Sequence, residues 1–254
     1  MIDFYRFKHL SDASGCIHAV TMRADDAPCD LSLALHTGEP ASQIVANRRR
    51  IALELDPQEQ MCFVLADQTH SDHIRIVTET ESRGWDVRES AIPDTDALIT
   101  DRKGMMLGIL TADCVPILLY DPVLGVVAAV HAGWKGTRAQ IVAKCVGKMM
   151  EHFGCNPSDI LAGVGPAIGS CCYEVGEEVA QHFFEIEGSA RKGGEKYMLD
   201  LPYINKYQLM GAGLAEAQIE MSGICTACDT DHFFSYRKEQ GCSGRFMSLI
   251  GILP

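Results

Sequence analysis

Between residues 105 and 131 the chain carries three apolar runs, Met105–Leu110, Val115–Tyr120 and Val126–His131, separated only by TADC and DPVLG. Runs of this length, rich in Val, Ile and Leu and punctuated by turn residues, read as core strands of one sheet. Such a sheet needs a large apolar reserve. The 254 residues supply it, at 47% hydrophobic and 22% charged, a balance that suits a globular protein and not a disordered tail. The longest apolar stretch, 105–120, is broken by Thr111, Asp113 and Pro116, so it cannot span a membrane.

Around this centre, further strands are expected at Cys16–Arg23, Met61–Ala66, Ile74–Val77, Ile160–Val164, Ile219–Met221, Phe233–Ser235 and Arg245–Ile252. Helical apolar spacing marks Pro40–Leu55, stopped by Asp56-Pro57, and Thr137–Phe153, with Gly154 as its C-cap. Glu177–Phe184 and Pro202–Ala215 read as two more helices. Strands outnumber helices and bunch in the middle, so the class is α/β or α+β with mixed sheets, not a regular βαβ repeat. No linker-like stretch and no internal repeat is present, and residues 1–254 read as a single domain.

The formal charge is 22 − 34 = −12, which argues against nucleic acid as a partner because phosphate backbones select basic surfaces. The opening MIDFYRFKHLSD carries Asp3, Arg6, Lys8 and His9 and leaves no apolar core for a secretory signal. A cytoplasmic location is therefore expected. The 11 cysteines would then stay reduced, each thiol buried, catalytic or a metal ligand.

The strongest chemical signal is distributed along the chain. His70 in QTH, Cys114 in TADC and His131 in VHAGW each stand just beyond an apolar run, and strand ends gather naturally into one cleft. Two imidazoles and a thiolate are good zinc ligands, and three protein ligands leave a fourth position for water or substrate. The same atoms also suit a nucleophilic pair, with Cys114 attacking, His70 or His131 as base and Asp113 orienting. Spacing alone leaves both readings open.

Other candidates are weaker. Cys225–Cys228 in CTACDTDH resembles half of a zinc ribbon or a redox pair, but no second CxxC exists in the chain, so it reads as structural or incidental. Cys171-Cys172 lies in a glycine-rich turn, and adjacent cysteines are more often packing than ligands. If one of them closed the coordination sphere of the triad, the protein would be a non-enzymatic, metal-stabilised binder. GVGPAIG and HAGWKG lack the spacing of nucleotide-binding glycine loops. They could still approach a small anion, with Lys135, Arg48, Arg237 or Arg245 supplying charge. Arg48, Arg49 and Arg50 follow one another on the early helix about 100° apart, so they cannot all face one ligand.

Taken together, QTHSDHIRIV, DALIT, GILTADCVPILLYD, VVAAVHAGWKGT, GPAIGSCCYEVGEEV and CTACDTDHFFSYRKEQGCSGRFMSLIGI closely resemble the YfiH family, once called polyphenol oxidases or laccase-domain proteins. The resemblance runs from about Cys16 to the C-terminus. It implies a layered α/β fold similar to the cysteine-hydrolase domain of a bacterial toxin, the cytotoxic necrotizing factor. It implies a zinc-dependent purine nucleoside phosphorylase with adenosine deaminase activity, whose small-molecule partners are a nucleoside and phosphate. The family's metal triad falls on His70, Cys114 and His131. Its Asn-Arg pair falls on Asn47 and Arg48, and its basic position after HAGW on Lys135, which makes these three the expected substrate-binding residues. Arg48 is expected to act on substrate or phosphate and not on the fold. Two departures stand out: Ser71 where many members have glycine, and Ser243 where threonine is usual.

The older family name keeps a copper-dependent phenol oxidase as the alternative. Copper outcompetes zinc for His and Cys ligands, but nine dispersed histidines without an H-x-H pair suit a multicopper cluster poorly.

Overall fold

The computed structural model describes residues 2–241 and 243–254. Two sheets carry the fold. The first runs in the order β1 (Phe4–Tyr5), β2 (Cys16–Thr21), β14 (Phe246–Ile252), β6 (Met105–Thr111), β3 (Cys62–Leu65). The second runs β13 (Ile219–Met221), β9 (Leu161–Val164), β7 (Val115–Asp121), β8 (Val126–Ala132), β5 (Ala97–Thr100), β4 (Ile74–Ile76). Both are mixed: β3 with β6, β4 with β5 and β9 with β13 are parallel, and the other pairs of these two sheets are antiparallel.

The three central runs do not share a sheet, contrary to the expectation from sequence. β6 belongs to the first sheet, and β7 and β8 form a hairpin in the second. The chain changes sheet at Ala112–Cys114, a corner that Asp113 turns with φ at +84°. Side-chain alternation then decides what each face meets. Leu107 and Ile109 of β6 and Ile250 of β14 pack against Leu118 of β7 and Val127 and Ala129 of β8, filling the space between the sheets. Met106 and Leu110 face outward and pack with Ile51 and Leu55 of α2 (Ala41–Leu55). Ile117, Leu119, Ala128 and Val130 face the other way, onto Val142, Val146 and Met149 of α4 (Ile141–Phe153) and Ile204 of α6 (Leu201–Gly211). Helix, sheet, sheet and helices thus form four layers. Because each inner strand is covered on both sides, its sequence reads as a continuous apolar run and not as an alternation.

Three further differences from the sequence reading have local causes. The helix expected over 137–153 is two helices, α3 (Trp134–Arg138) and α4, broken where Gln140 takes φ of +60°; Gly154 caps α4 in the left-handed region as expected. Phe233–Ser235 forms no strand: Phe233 and Phe234 bury their rings between the sheets without joining a ladder. A small third sheet, β10 (Glu174–Val175), β12 (Lys196–Leu199), β11 (Ala190–Gly193), was not anticipated. Its β11–β12 hairpin turns at Gly194, whose φ of +71° favours glycine. The remaining helices, α1 (Lys8–Asp12) and α5 (Glu177–Ala180), are single turns. Among the described residues, no helix is long and apolar enough to cross a membrane.

Candidate metal centre and its cavity

Sheet register assembles the site. In the β7–β8 hairpin Pro116 pairs with His131 and Val115 with Ala132, so Cys114, one residue before β7, comes beside Gly133. A Cβ added at Gly133 would sit 3.1 Å from Cys114 Sγ and 2.9 Å from His70 Cδ2; only glycine leaves room for both side chains. On the other side of β8, Ala97 of β5 pairs with Val130, and His131 N donates to Asp96 O at 2.8 Å. The loop 66–73 brings His70 to the same strand ends. Cys114 Sγ lies 3.7 Å from His70 Nε2, the two imidazole rings are 4.8 Å apart at an edge-to-face angle, and one ligand atom from each of the three residues falls within 4.8 Å of the others.

Asp96, a residue given no role from sequence, holds the two histidines in place. Its carboxylate accepts from His131 Nδ1 at 2.7 Å, which turns Nε2 toward the site. It also accepts the backbone N–H groups of Thr69, His70 and Ser71 and the Ser71 hydroxyl at 2.7 Å. These bonds hold His70 at φ of +61°, an unfavourable backbone conformation for a histidine. They also explain how serine replaces glycine after His70, since its hydroxyl finds an acceptor. The available signal for Asp96 was an acidic residue at the mouth of the apolar run ALIT, the same position that the triad residues take on their own strands.

Electrostatics follow from this packing. Desolvation opposes a charged Cys114, but the His131 cation and hydrogen bonds from both histidines outweigh it and bring the thiol down to about 6. Burial likewise opposes a charged His131, yet the Cys114 thiolate and Asp96 raise it to about 9. Asp96 is itself buried, and its bonds to His131 and Ser71 hold it below the usual carboxylate range. A divalent metal would replace the His131 proton and bind two neutral imidazoles and a thiolate, the donor set zinc favours.

A cavity of about 550 Å³ opens in front of the triad, within the range of small-molecule sites. Its wall includes His36, Arg88, Tyr173, Tyr236, Arg237 and Arg245. Arg237 lies over the Tyr173 ring at 5.2 Å and Arg245 over Tyr236 at 5.5 Å. Each uses Nη1 on nearby backbone carbonyls, and no bond is made by their Nε or Nη2 atoms among the described residues.

The expected substrate-binding residues take different places. Arg48 borders the cavity, but it is 2% exposed and its guanidinium donates to Leu33 O through Nε and Nη2 and to Gly84 O and Trp85 O through Nη1. Arg48 therefore holds loop backbone together, where the sequence reading gave it a ligand role and none in the fold. Burial lowers it to about 10, so it stays protonated at neutral pH. Asn47 is buried and donates to Pro28 O and Ser32 O. Lys135 is exposed, with Nζ 5.8 Å from the Trp134 ring. Arg49 is exposed, and Arg50 reaches Asp26 at 3.5 Å. Asp113, expected as a possible orienting acid, instead accepts from Thr226 Oγ1, Ser235 Oγ and Arg237 N at 2.6–2.7 Å and clasps the loop that carries Arg237. Ser243 accepts from Arg245 Nη1 through its carbonyl and hydroxyl. Cys171 and Cys172 do not join the triad; their sulfurs lie with those of Cys225 and Cys228 in a separate group.

Comparison with known proteins places the chain in a family. Residues 18–253 match the family model described as multi-copper polyphenol oxidoreductase laccase. The chain is 39% identical over 229 residues to a protein named purine nucleoside phosphorylase YlmD from Bacillus subtilis, covering 87% of this chain and 82% of that one. It is 35% identical over 222 residues to one named adenosine deaminase RL5, from an unknown prokaryotic organism, covering 85% and 84%. The crystal structure of YlmD from Geobacillus stearothermophilus superposes with a TM-score of 0.91 at 31% identity, over the full length of both chains. With the motifs, the two-sheet fold and the family match in agreement, the chain belongs to the laccase-like YfiH family.

Proposed function

We propose that the protein is a zinc-dependent purine nucleoside phosphorylase that takes adenosine, inosine and 5′-methylthioadenosine with phosphate, with adenosine deamination as a side activity. The carrying observation is one cavity that joins a His70, Cys114, His131 donor set to the Arg237 and Arg245 guanidiniums and the Tyr173 and Tyr236 rings. The names of the relatives from Bacillus subtilis and the unknown prokaryote support the two activities. Residues 1–254 act in this reading as one catalytic domain.

The donor set fits the metal on its own chemistry. His131 Nε2, His70 Nε2 and Cys114 Sγ converge, Asp96 fixes one imidazole through its other nitrogen, and three ligands leave a position open. Zinc held there supplies a Lewis acid for a substrate oxygen and, for deamination, lowers the pKa of water. The chain's own groups do the rest. The free guanidinium edges of Arg237 and Arg245 hold the phosphate dianion by charge-assisted bonds. The tyrosine rings offer flat faces to the purine. In phosphorolysis a phosphate oxygen bonds to the sugar C1′ as the bond to the base nitrogen breaks and its electron pair leaves with the base. Fixing both partners in one walled site removes much of the entropic barrier. Asn47 and Arg48 enter by holding the loops of the cavity wall, and Lys135, outside the lining, follows its wall residue Trp134.

Against a copper phenol oxidase, the described residues gather only one histidine-containing group of three or more close ligands, this triad. Incubation of the purified protein with each nucleoside and phosphate, followed by separation of bases and sugar phosphates, tests the proposal. Release of free base and sugar 1-phosphate is expected; no release from any of the three overturns it. Oxygen uptake with a phenol by copper-loaded protein would favour the oxidase instead.

A further inference from the structure

Two irregular segments meet beside the cavity, residues 165–173 between β9 and β10 and residues 222–245 between β13 and β14. The second has no strand or helix among its described residues and exceeds the roughly 12–15 residues beyond which an irregular connection needs anchors of its own. Backbone bonds join the two: Thr226 N donates to Ala167 O at 3.0 Å and Ala167 N to Ile224 O at 3.2 Å. At this junction one segment presents Cys171 and Cys172, the other Cys225 and Cys228. All four Sγ atoms lie within 4.8 Å of one another, with Cys228 Sγ 3.6 Å from Cys171 and 3.4 Å from Cys172.

These separations discriminate between chemistries. Four thiolates about 2.3 Å from a tetrahedral zinc ion stand about 3.8 Å apart, whereas bonded sulfurs stand about 2.05 Å apart. A disulfide between neighbours in sequence is disfavoured, since their Cα atoms are about 3.8 Å apart, below the usual disulfide range. Clusters of several irons space their cysteines more widely than this. The Cys225–Cys228 turn is tight, with Cys228 N and Asp229 N both donating to Cys225 O at 3.0–3.1 Å, and Gly169 N donates across the junction to Cys225 Sγ at 3.2 Å. An N–H aimed at sulfur stabilises a thiolate.

We propose that Cys171, Cys172, Cys225 and Cys228 form a closed tetrathiolate site for one zinc ion, distinct from the triad, which ties the two segments together and fixes the cavity wall they carry. Tyr173 follows Cys172 directly, and Thr226 beside Cys225 donates to Asp113 beside Cys114. Tyr236 and Arg237 lie further along the same segment. Four protein ligands leave no open position, so the site is structural and not catalytic. Uptake is balanced by protons: one zinc ion and four thiols give one tetrathiolate dianion and four protons. Four thiolates this close repel one another unless a soft dication lies among them.

The test is metal stoichiometry on the full chain, purified and reconstituted with zinc under anaerobic, reducing conditions. Two zinc ions per chain are expected in the wild type. One is expected in Cys225→Ser/Cys228→Ser and one in His70→Ala/His131→Ala. Cobalt added to the latter variant should give the intense sulfur-to-cobalt charge-transfer and red d–d bands of a tetrathiolate. Hydrogen exchange should quicken in 165–173 and 222–237 of the cysteine variant while the sheets keep their protection. If that variant fails to fold, cobalt titration of the wild type still separates a tetrathiolate from a mixed nitrogen and sulfur site. No zinc in His70→Ala/His131→Ala, iron in place of zinc, absence of the tetrathiolate spectrum, or anaerobic alkylation showing disulfides among these four cysteines would each overturn the proposal, whereas loss of the triad zinc alone would bear on the proposed function.

Discussion

The wall of the cavity is built in two ways. Cys114, His131 and Asp96 stand at strand ends, and the pairing of β5, β7 and β8 sets their relative positions before any ligand arrives; His70, on the loop 66–73, is tied to them by the Asp96 carboxylate. Tyr173, Tyr236, Arg237 and Arg245 stand on irregular segments that hold their shape through clasps, Asp113 on Thr226, Ser235 and Arg237 and the four gathered cysteines, while Arg48 clasps the backbone of Leu33, Gly84 and Trp85 elsewhere on the same wall. The two constructions fail differently. A register-built side loses chemistry when a side chain changes and keeps its shape, because the ladder bonds remain. A clasp-built side loses shape, because nothing else holds its backbone.

The largest effect expected on the register-built side is that of Cys114→Ala. Removing a ligand forfeits several kcal/mol of transition-state stabilisation, so phosphorolysis should fall by roughly a thousandfold or more. One zinc equivalent should be lost while the melting temperature stays near wild type. A collapse of melting temperature, measured by calorimetry, would show that Cys114 also holds the fold and would break the comparison.

Arg48→Lys probes the clasped side. Lysine keeps the charge but cannot span Leu33, Gly84 and Trp85 with a planar fork. Leaving buried carbonyls unpaired should cost about 3 kcal/mol or more, roughly 6–12 °C in melting temperature for a domain of this size. Triad zinc should remain bound. An unchanged melting temperature with impaired turnover would return Arg48 to the role of a ligand for substrate.

Acid displaces metal from any ligand set, so the metal-independent response of the fold to pH has to be known separately. His18 dominates one part of it. It is 2% exposed, accepts Phe7 N–H on Nε2 at 2.9 Å, and burial, aided by Arg6, lowers it to about 4. The unfolded chain, near 6.5, binds the proton first, so this stabilisation is present in full above 6.5 and is lost as pH falls toward 4. It amounts to about 3 kcal/mol, at about 1.4 kcal/mol per pH unit. Urea unfolding of metal-free protein across this window should show the loss, and His18→Gln should flatten it. An equal slope in both proteins would place the acid sensitivity elsewhere.

Asp96→Asn should give the smallest effect. It keeps a side chain of the same shape but removes the charge that favours His131 and one acceptor for the 69–71 loop. A fall of about 10- to 100-fold in zinc affinity or turnover is expected, with modest loss of stability. An effect below twofold, measured by competition with a chelator, would show that register alone orients His131.

Local chemistry made part of this protein readable from its sequence. Apolar runs of the right length marked most of the strands. The three candidate metal donors could be picked out because each is a soft or borderline ligand standing at or just beyond such a run. Gly154 ended α4 because a left-handed residue there is written in one position. What could not be read depended on segments far apart in the chain. The corner at Asp113 sent β6 to one sheet and β7 to the other, although the flanking runs look alike. Asp96 meets His131 only through the β5–β8 register. Arg48 turned inward because three carbonyls from two loops converge on it, a demand that helix periodicity does not carry. Cys171-Cys172 and Cys225–Cys228 each look incidental alone, and only the docking of two loops brings them together. Residue type and local period fix what a side chain can do; which partners it meets is decided by burial and hydrogen bonding across the assembled layers, where the alternatives differ by tertiary contacts that no short window of sequence contains.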